Sequence, residues 1–220
     1  MKLEAMTLSQ KIAQSIADQI VEGYIKPGER LLENKLTDTF GTSRAPIREA
    51  LYILESDGIV ERVQRRGVFV KEYNRKELID LYDVVYRLEE FALKKAIVNA
   101  TDEEIARIFN LLEHMADFIK DREIKDYFPL MEELHQLIFL LSKNDVLDDL
   151  YRKIYKQLRP FRYMALSYPD SLEQSFLEYY EIAEGLKARD IDQTLKALQK
   201  KEKRVLLNFE NLLIDSQTLK

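Results

Sequence analysis

Leu36-Thr37-Asp38-Thr39-Phe40-Gly41-Thr42-Ser43-Arg44-Ala45-Pro46-Ile47-Arg48-Glu49-Ala50-Leu51 is the run that decides the fold. A short helix at about 33–39 ends before Gly41, and Gly41-Thr42-Ser43 makes a tight turn. Ser43 is a favoured N-cap, so a second helix starts at Arg44 and runs to about Asp57, where Gly58 stops it. Pro46 is tolerated because first-turn N–H groups have no intrahelical partner. Ile47, Ala50, Leu51 and Leu54 share one face of this helix, an apolar stripe for packing. Arg44, Arg48 and Tyr52 lie opposite, at i, i+4 and i+8. A DNA-reading helix needs this division, because an arginine fork matches guanine O6 and N7, or a phosphate. The helix N-terminus adds free N–H groups and a positive dipole end. On spacing alone, an ordinary solvated face with two surface arginines satisfies the same pattern.

The flanks extend the picture in both directions. Upstream, Thr7-Leu8-Ser9-Gln10 fits a capping box, and Ile12, Ile16 and Ile20 then recur at helical spacing up to Gly23. Ile25-Lys26-Pro27-Gly28 is a turn. Downstream, Ile59–Val63 and Val68–Val70 are β-rich runs around Gln64-Arg65-Arg66-Gly67, which reads as an arginine-tipped hairpin. Helix, helix, turn, helix and hairpin in about 65 residues is the order of a winged helix-turn-helix. Seven of the eleven glycines and prolines fall before residue 70, so long helices are expected beyond it. Six are read at about 75–98, 102–121, 124–142, 145–167, 171–189 and 191–214, with Thr101-x-x-Glu104 capping the second. The predicted fold is mostly α: a winged helix-turn-helix over residues 1–73, then an all-helical bundle of six to seven helices over 74–220.

The net charge of −5 argues at first against a nucleic-acid binder. Residues 1–73, however, hold 11 basic and 11 acidic residues, so the rest of the chain carries the whole excess. A neutral domain binds DNA if its arginines gather on one face. Cysteine is absent, which removes disulfides, thiolate nucleophiles and Cys-ligated zinc. No stretch approaches the ~20 apolar residues of a membrane helix, and Met1–Met6 carries no apolar signal-peptide core. A cytoplasmic protein with no membrane partner is expected. There is no Gly-rich phosphate loop and no Ser-His-Asp pattern, so no enzyme is expected. Glu132-x-x-His135 is one copy of a motif used by metal-carboxylate helix bundles. Those need a second copy, and Leu111 stands three residues before His114, the other histidine.

Residues 8–70 resemble the GntR family of bacterial repressors, whose pattern is roughly L-A-x-x-F-G-V-S-R-T-P-V-R-E-A-L. Pro27–Leu31, Leu54–Val60 and Arg66–Val70 match the flanking pattern in order. The resemblance implies that Ser43, Arg44, Ala45, Pro46, Arg48 and the wing residues Arg65, Arg66 and Gly67 contact double-stranded DNA, and that Arg30 holds the fold or a phosphate. Ala45 replaces the usual Thr, and Asn34 stands where some FadR-type members carry an Arg. Both departures bear on which base sequence is read, not on whether DNA is bound. A homodimer on a palindromic operator is implied as well.

The remainder is similar to the all-helical FCD effector domain of FadR-type members. Tyr82, Tyr86, Arg87 and Glu89 resemble its opening helix, and Leu134-His135-x-x-Ile138 with Ser142-x-Asn144 resembles a later stretch. Many such domains hold a divalent metal on one Asp and three His around an organic acid. Here Met131 stands for the Asp, Tyr179 for the second His and Lys201 near the third, so only His135 remains and no metal cofactor is expected. The expected small-molecule effector, an organic acid, would meet Arg87, Met131, His135, Tyr179 and Lys201. In this reading Lys201 supplies the lost positive charge and Arg87 adds a bidentate grip. Two alternatives stand beside it. In one, Lys201 points to solvent among its charged neighbours; in the other, the C-terminal domain only dimerises.

Overall fold

The structure, a computed structural model, describes residues 6–218. Residues 1–5, which were read above as part of a segment without a signal-peptide core, lie outside the described residues. The chain divides into two compact units. One holds the residues up to Asn74 with Tyr155–Phe161, and the other holds Arg75–Ile154 with the chain from Arg162 onward.

The first unit begins with α1 (Leu8–Val21), closed at its start by the Thr7–Gln10 capping box and at its end by Gly23 at φ 77°. Two residues, β1 (Arg30–Leu31), precede α2 (Glu33–Phe40). Gly41 caps α2 in the left-handed conformation, φ 58°, which glycine adopts without a Cβ penalty. Next come α3 (Arg44–Ser56), β2 (Val60–Val63) and β3 (Gly67–Val70). The three strands form one antiparallel sheet in the order β1-β3-β2. The third strand was not anticipated, since two residues are too few to show a period. Arg30 pairs with Phe69 and Leu31 with Val68. Ile12, Ile16, Ile47, Leu51, Leu54 and Val68 form the core between α1, α3 and the sheet. Burying each such side chain is worth roughly 1.5–3 kcal/mol. The Ser9 hydroxyl donates to the Glu49 carboxylate and ties α1 to α3.

The second unit is built from α4 (Arg75–Asn99), α5 (Asp102–Ala116), α6 (Ile124–Leu141), α7 (Asp145–Leu166), α8 (Ser171–Ala188) and α9 (Ile191–Thr218), six helices among the described residues. The central α4 packs on α6, α8 and α9. The α5 helix is shorter than the expected 102–121. From Asp117 the backbone bonds turn to three-residue spacing and Arg122 sits at φ 56°, so the apolar Phe118 and Ile119 belong to a turn. Gly185 is required by a close approach: a Cβ there would clash with Thr194 Oγ1 and meet the Thr194 backbone N at 2.9 Å. No helix is long and apolar enough to cross a membrane among the described residues.

Candidate functional site

In the first unit the turn between α2 and α3 projects a polar face. Ser43 occupies the N-cap position with extended backbone, yet its hydroxyl makes no capping bond, so the first N–H groups of α3 are left without a side-chain cap. Ser43, Arg44, Ala45 and Arg48 are exposed and Pro46 is half-buried, while Ile47, Ala50, Leu51 and Leu54 are buried, as the helical stripe requires. Arg48 Nε rests 2.9 Å from Glu33 on α2, with 58% of the Arg48 side chain exposed. An exposed pair of this kind contributes about 0–1 kcal/mol, so a phosphate or base edge can take the guanidinium over at little cost. Tyr52 is exposed and carries the Arg62 guanidinium 4.8 Å above its ring.

The hairpin turn is tight. Arg65 adopts φ 62° and Gly67 φ 112°, and Arg66 lies over the Phe69 ring at 5.5 Å. Arg30, placed across the sheet by β1, lays its guanidinium over Gly67, where a Cβ would come within 3.0 Å of Nε. Arg30, Arg65, Arg66 and Gly67 thus lie together at the wing. Such a set has the long donors and close-approaching main chain that a phosphate backbone requires.

In the second unit four of the five expected ligand residues are brought together. Met131, Tyr179 and Lys201 line a cavity of about 30 Å³, and His135 stands behind it. Lys201 is 5% exposed, so the solvent-facing alternative does not hold. At the centre is Glu89, which the sequence reading matched to the family's opening helix but did not assign to the ligand site. Lys201 Nζ donates to Glu89 Oε2 at 2.9 Å, and Arg162 donates to Oε1 at 3.2 Å. His135 Nδ1 lies 3.0 Å from Oε1, and its Nε2 lies 2.9 Å from Arg162 NH1 and against the Tyr179 hydroxyl. The imidazole therefore carries its proton on Nδ1 and donates to Glu89, a tautomer assigned from these partners.

Burial, then Lys201 and Arg162, lowers the His135 pKa to about 3, which keeps the ring neutral. Burial alone would raise the Glu89 carboxyl, but Lys201, His135 and Arg162 together hold it well below the usual carboxylate range. Burial also lowers Lys201, against the opposing pull of Glu89. Tyr82 and Tyr86 complete one wall, and the Tyr82 hydroxyl is buried with no hydrogen-bond partner among the described residues. On another wall Arg204 grips Glu178 through two bonds of 2.8 and 2.7 Å.

Arg87 stands apart from this group, contrary to expectation. It follows Tyr86 by one residue, a turn of about 100° around α4. There it is exposed and bonded to Glu90 and Glu202. Glu89 and Arg162 were missed although a signal existed. Glu89 falls on the buried stripe of Tyr82, Tyr86 and Leu93, and Arg162 on that of Leu158 and Ala165. A charge inside an apolar stripe marks a buried polar site.

The residues present do not suit a divalent metal. No group of three or more His, Cys, Asp or Glu is placed to hold one among the described residues. Both His135 nitrogens already face protein partners, and two cations stand in the same shell.

Both parts of the chain match families of known proteins. Residues 80–200 match the FCD domain model, and residues 8–70 match the model of bacterial regulatory proteins of the gntR family. The Nta operon transcriptional regulator of Aminobacter aminovorans is 32% identical over 66% of this chain and 68% of its own. The gluconate operon transcriptional repressor of Bacillus licheniformis is 29% identical over 95% and 88%. The solved structure of McbR/YncC from E. coli superposes with a TM-score of 0.79 at 22% identity, covering 98% of this chain and all of the other. With a reading helix, an arginine wing and an FCD effector domain in one chain, the protein belongs to the GntR family of transcription regulators.

Proposed function

We propose that the protein is a repressor that binds a palindromic operator as a homodimer and changes its DNA affinity when a small organic acid occupies the cavity of the second unit. It acts by binding and not by catalysis, in the cytoplasm, and needs no metal cofactor. The DNA-binding domain takes in the chain to about residue 73, and the effector and dimerisation domain the remainder.

The observation that carries this reading is the exposed face of α3, where Ser43, Arg44 and Arg48 surround an uncapped helix N-terminus. One such helix reads few base pairs, and two-fold symmetry doubles the readout. An effector must bind one arrangement of the two heads better than the other, with coupling of typically 1–3 kcal/mol.

The test is operator binding by fluorescence anisotropy with sedimentation of the free and bound protein. Two protomers per operator are expected. A protein that is monomeric both free and on DNA would overturn the dimer. Acids that stabilise the protein yet leave operator affinity unchanged would overturn the switch.

A further inference from the structure

Helix α4 carries two apolar stripes. One, through Tyr82, Val85, Tyr86, Ala92, Leu93 and Ala96, is buried against the neighbouring helices. The other runs through Leu81, Val84, Leu88, Phe91, Lys95 and Val98, at intervals that alternate between three and four residues. This spacing lines side chains up along one side of a helix and is the seam of a two-helix coiled coil. Val84, Phe91 and Val98 are 48%, 47% and 80% exposed, and Leu81, Leu88 and Lys95 are half-buried. Exposed apolar side chains are ordinary when scattered singly, but a row of them on one seam is a surface to be covered. The charge on the seam, Lys95, lies 5.3 Å from the centre of the Phe91 ring and makes no ion pair among the described residues.

The charges along the seam select its occupant. Glu77 and Asp80 stand towards its N-terminal end, and Lys94 and Lys95 towards its C-terminal end. A surface acidic at one end and basic at the other matches itself turned end for end, as a two-fold axis requires. We infer that this face of α4 docks on α4 of a second copy of the chain, the two helices antiparallel along the seam. This rests on reading the protein as a homodimer, and adds which face joins the copies.

The pairing closes at every level. Leu81 lies against Phe91 of the partner subunit and Val84 against Leu88 of the partner subunit, and the two-fold axis repeats both contacts. Glu77 meets Lys95 of the partner subunit at each end of this apolar centre, and Asp80 meets Lys94 of the partner subunit at the rim. Within one chain Asp80 bonds Lys76 and Lys94 bonds Glu90, surface pairs that exchange at little cost. Arg87 approaches its own copy near the axis, where Glu90 and Glu202 already meet its charge. A parallel pairing would instead set acid against acid at one end and lysine against lysine at the other, which is unfavourable.

The experiment uses the full chain. Sedimentation velocity over a concentration series follows wild type, Phe91→Glu, Lys95→Glu and the double variant Glu77→Lys/Lys95→Glu, free and on operator DNA, with circular dichroism as the check on folding. Wild type is expected to be a dimer. Phe91→Glu should weaken dimerisation roughly 100-fold or more, since two rings leave the interface. Lys95→Glu should weaken it roughly 3- to 10-fold, and the double variant should recover, because the exchanged charges again face opposites. The chain has no cysteine, so engineered thiols report the register directly. Glu77→Cys and Lys95→Cys chains are mixed and oxidised with copper phenanthroline. Disulfides are expected between the two variants and not within either alone, since the two copies of position 77 lie about 27 Å apart along the antiparallel pair. Both substitutions sit at the surface, so this pattern decides the matter even if Phe91→Glu does not fold. Dimerisation of folded Phe91→Glu at wild-type strength would overturn the inference and leave the homodimer reading standing, as would cross-linking of either cysteine variant with itself alone. A wild type that is monomeric both free and on the operator would overturn the homodimer reading and this inference with it.

Discussion

Arg48 on α3 and Arg162 beside the cavity each meet a glutamate in a salt bridge, at 2.9 and 3.2 Å, yet the two contacts do opposite work. The Arg48–Glu33 pair lies in solvent, where water screens it and either partner leaves cheaply. The Arg162–Glu89 pair is buried to within a few per cent, together with Lys201 and His135. There each charge depends on the others, because an ion stripped of its partner inside a protein costs several kcal/mol. Similar distances thus describe a loose contact suited to exchange with DNA and a locked one suited to hold a cavity open.

The largest effect expected from breaking this contrast is at Glu89. Glu89→Ala should lower the stability of the second unit by roughly 3–5 kcal/mol, while Glu33→Ala changes the first by less than about 1 kcal/mol. Calorimetry that resolves the two transitions checks this. Replacing Glu89, Arg162 and Lys201 together by Leu, Met and Met should restore most of the loss, since the cost lies in the unpaired charge. If the triple variant is as unstable as Glu89→Ala, the cluster is held by shape and not by charge balance.

A pH series sharpens the same point. The folded His135 stays neutral down to about pH 3, whereas in the unfolded chain the ring takes its proton near pH 6.5. Between these values the unfolded state binds the extra proton, so stability falls as the pH drops from about 6.5 towards 3. The slope is at most about 1.4 kcal/mol per pH unit. Glu89 acts in the same direction. It stays ionised in the fold while the unfolded chain protonates near pH 4.3, so its contribution is lost as the pH falls further. Denaturant midpoints for wild type and His135→Gln should show the upper part of this slope in the first and not in the second. Equal slopes would mean that the buried ring is charged.

On the exposed side, Arg44→Ala and Arg48→Ala should each weaken operator binding by roughly 1–3 kcal/mol and relax specificity, read by anisotropy against matched and mutated operators. The smallest effect is expected from Glu33→Gln. Freeing Arg48 in the unbound protein should shift operator affinity by less than about 0.5 kcal/mol. A tenfold gain would show that Glu33 restrains the reading helix.

The same contrast explains what the sequence made readable. The candidate DNA face lies along one helix, so Arg44, Arg48 and Tyr52 fall at fixed intervals and the turn residues Gly41 and Ser43 mark its start. The cavity is assembled from α4, α6, α7, α8 and α9, and no interval in the chain links Glu89 to Arg162 or Lys201. Position-by-position resemblance reached His135, Tyr179, Met131 and Lys201, because it compares places and not periods. It failed at Arg87, where one residue of helical rotation separates a cavity wall from solvent. The pair β1, too short for any pattern, became visible only through its partner strand.

That two-residue strand has a consequence for anyone building chimeric regulators. Its pairing with Phe69 and Val68 carries Arg30 across the sheet to lie over Gly67 at the wing. A wing transplanted as residues 60–70 alone would arrive without the strand that sets its register and without one of its arginines. The transferable module is discontinuous, Arg30–Leu31 together with Val60–Val70, and a graft of both segments should keep the donor's wing contacts where a graft of the hairpin loses them.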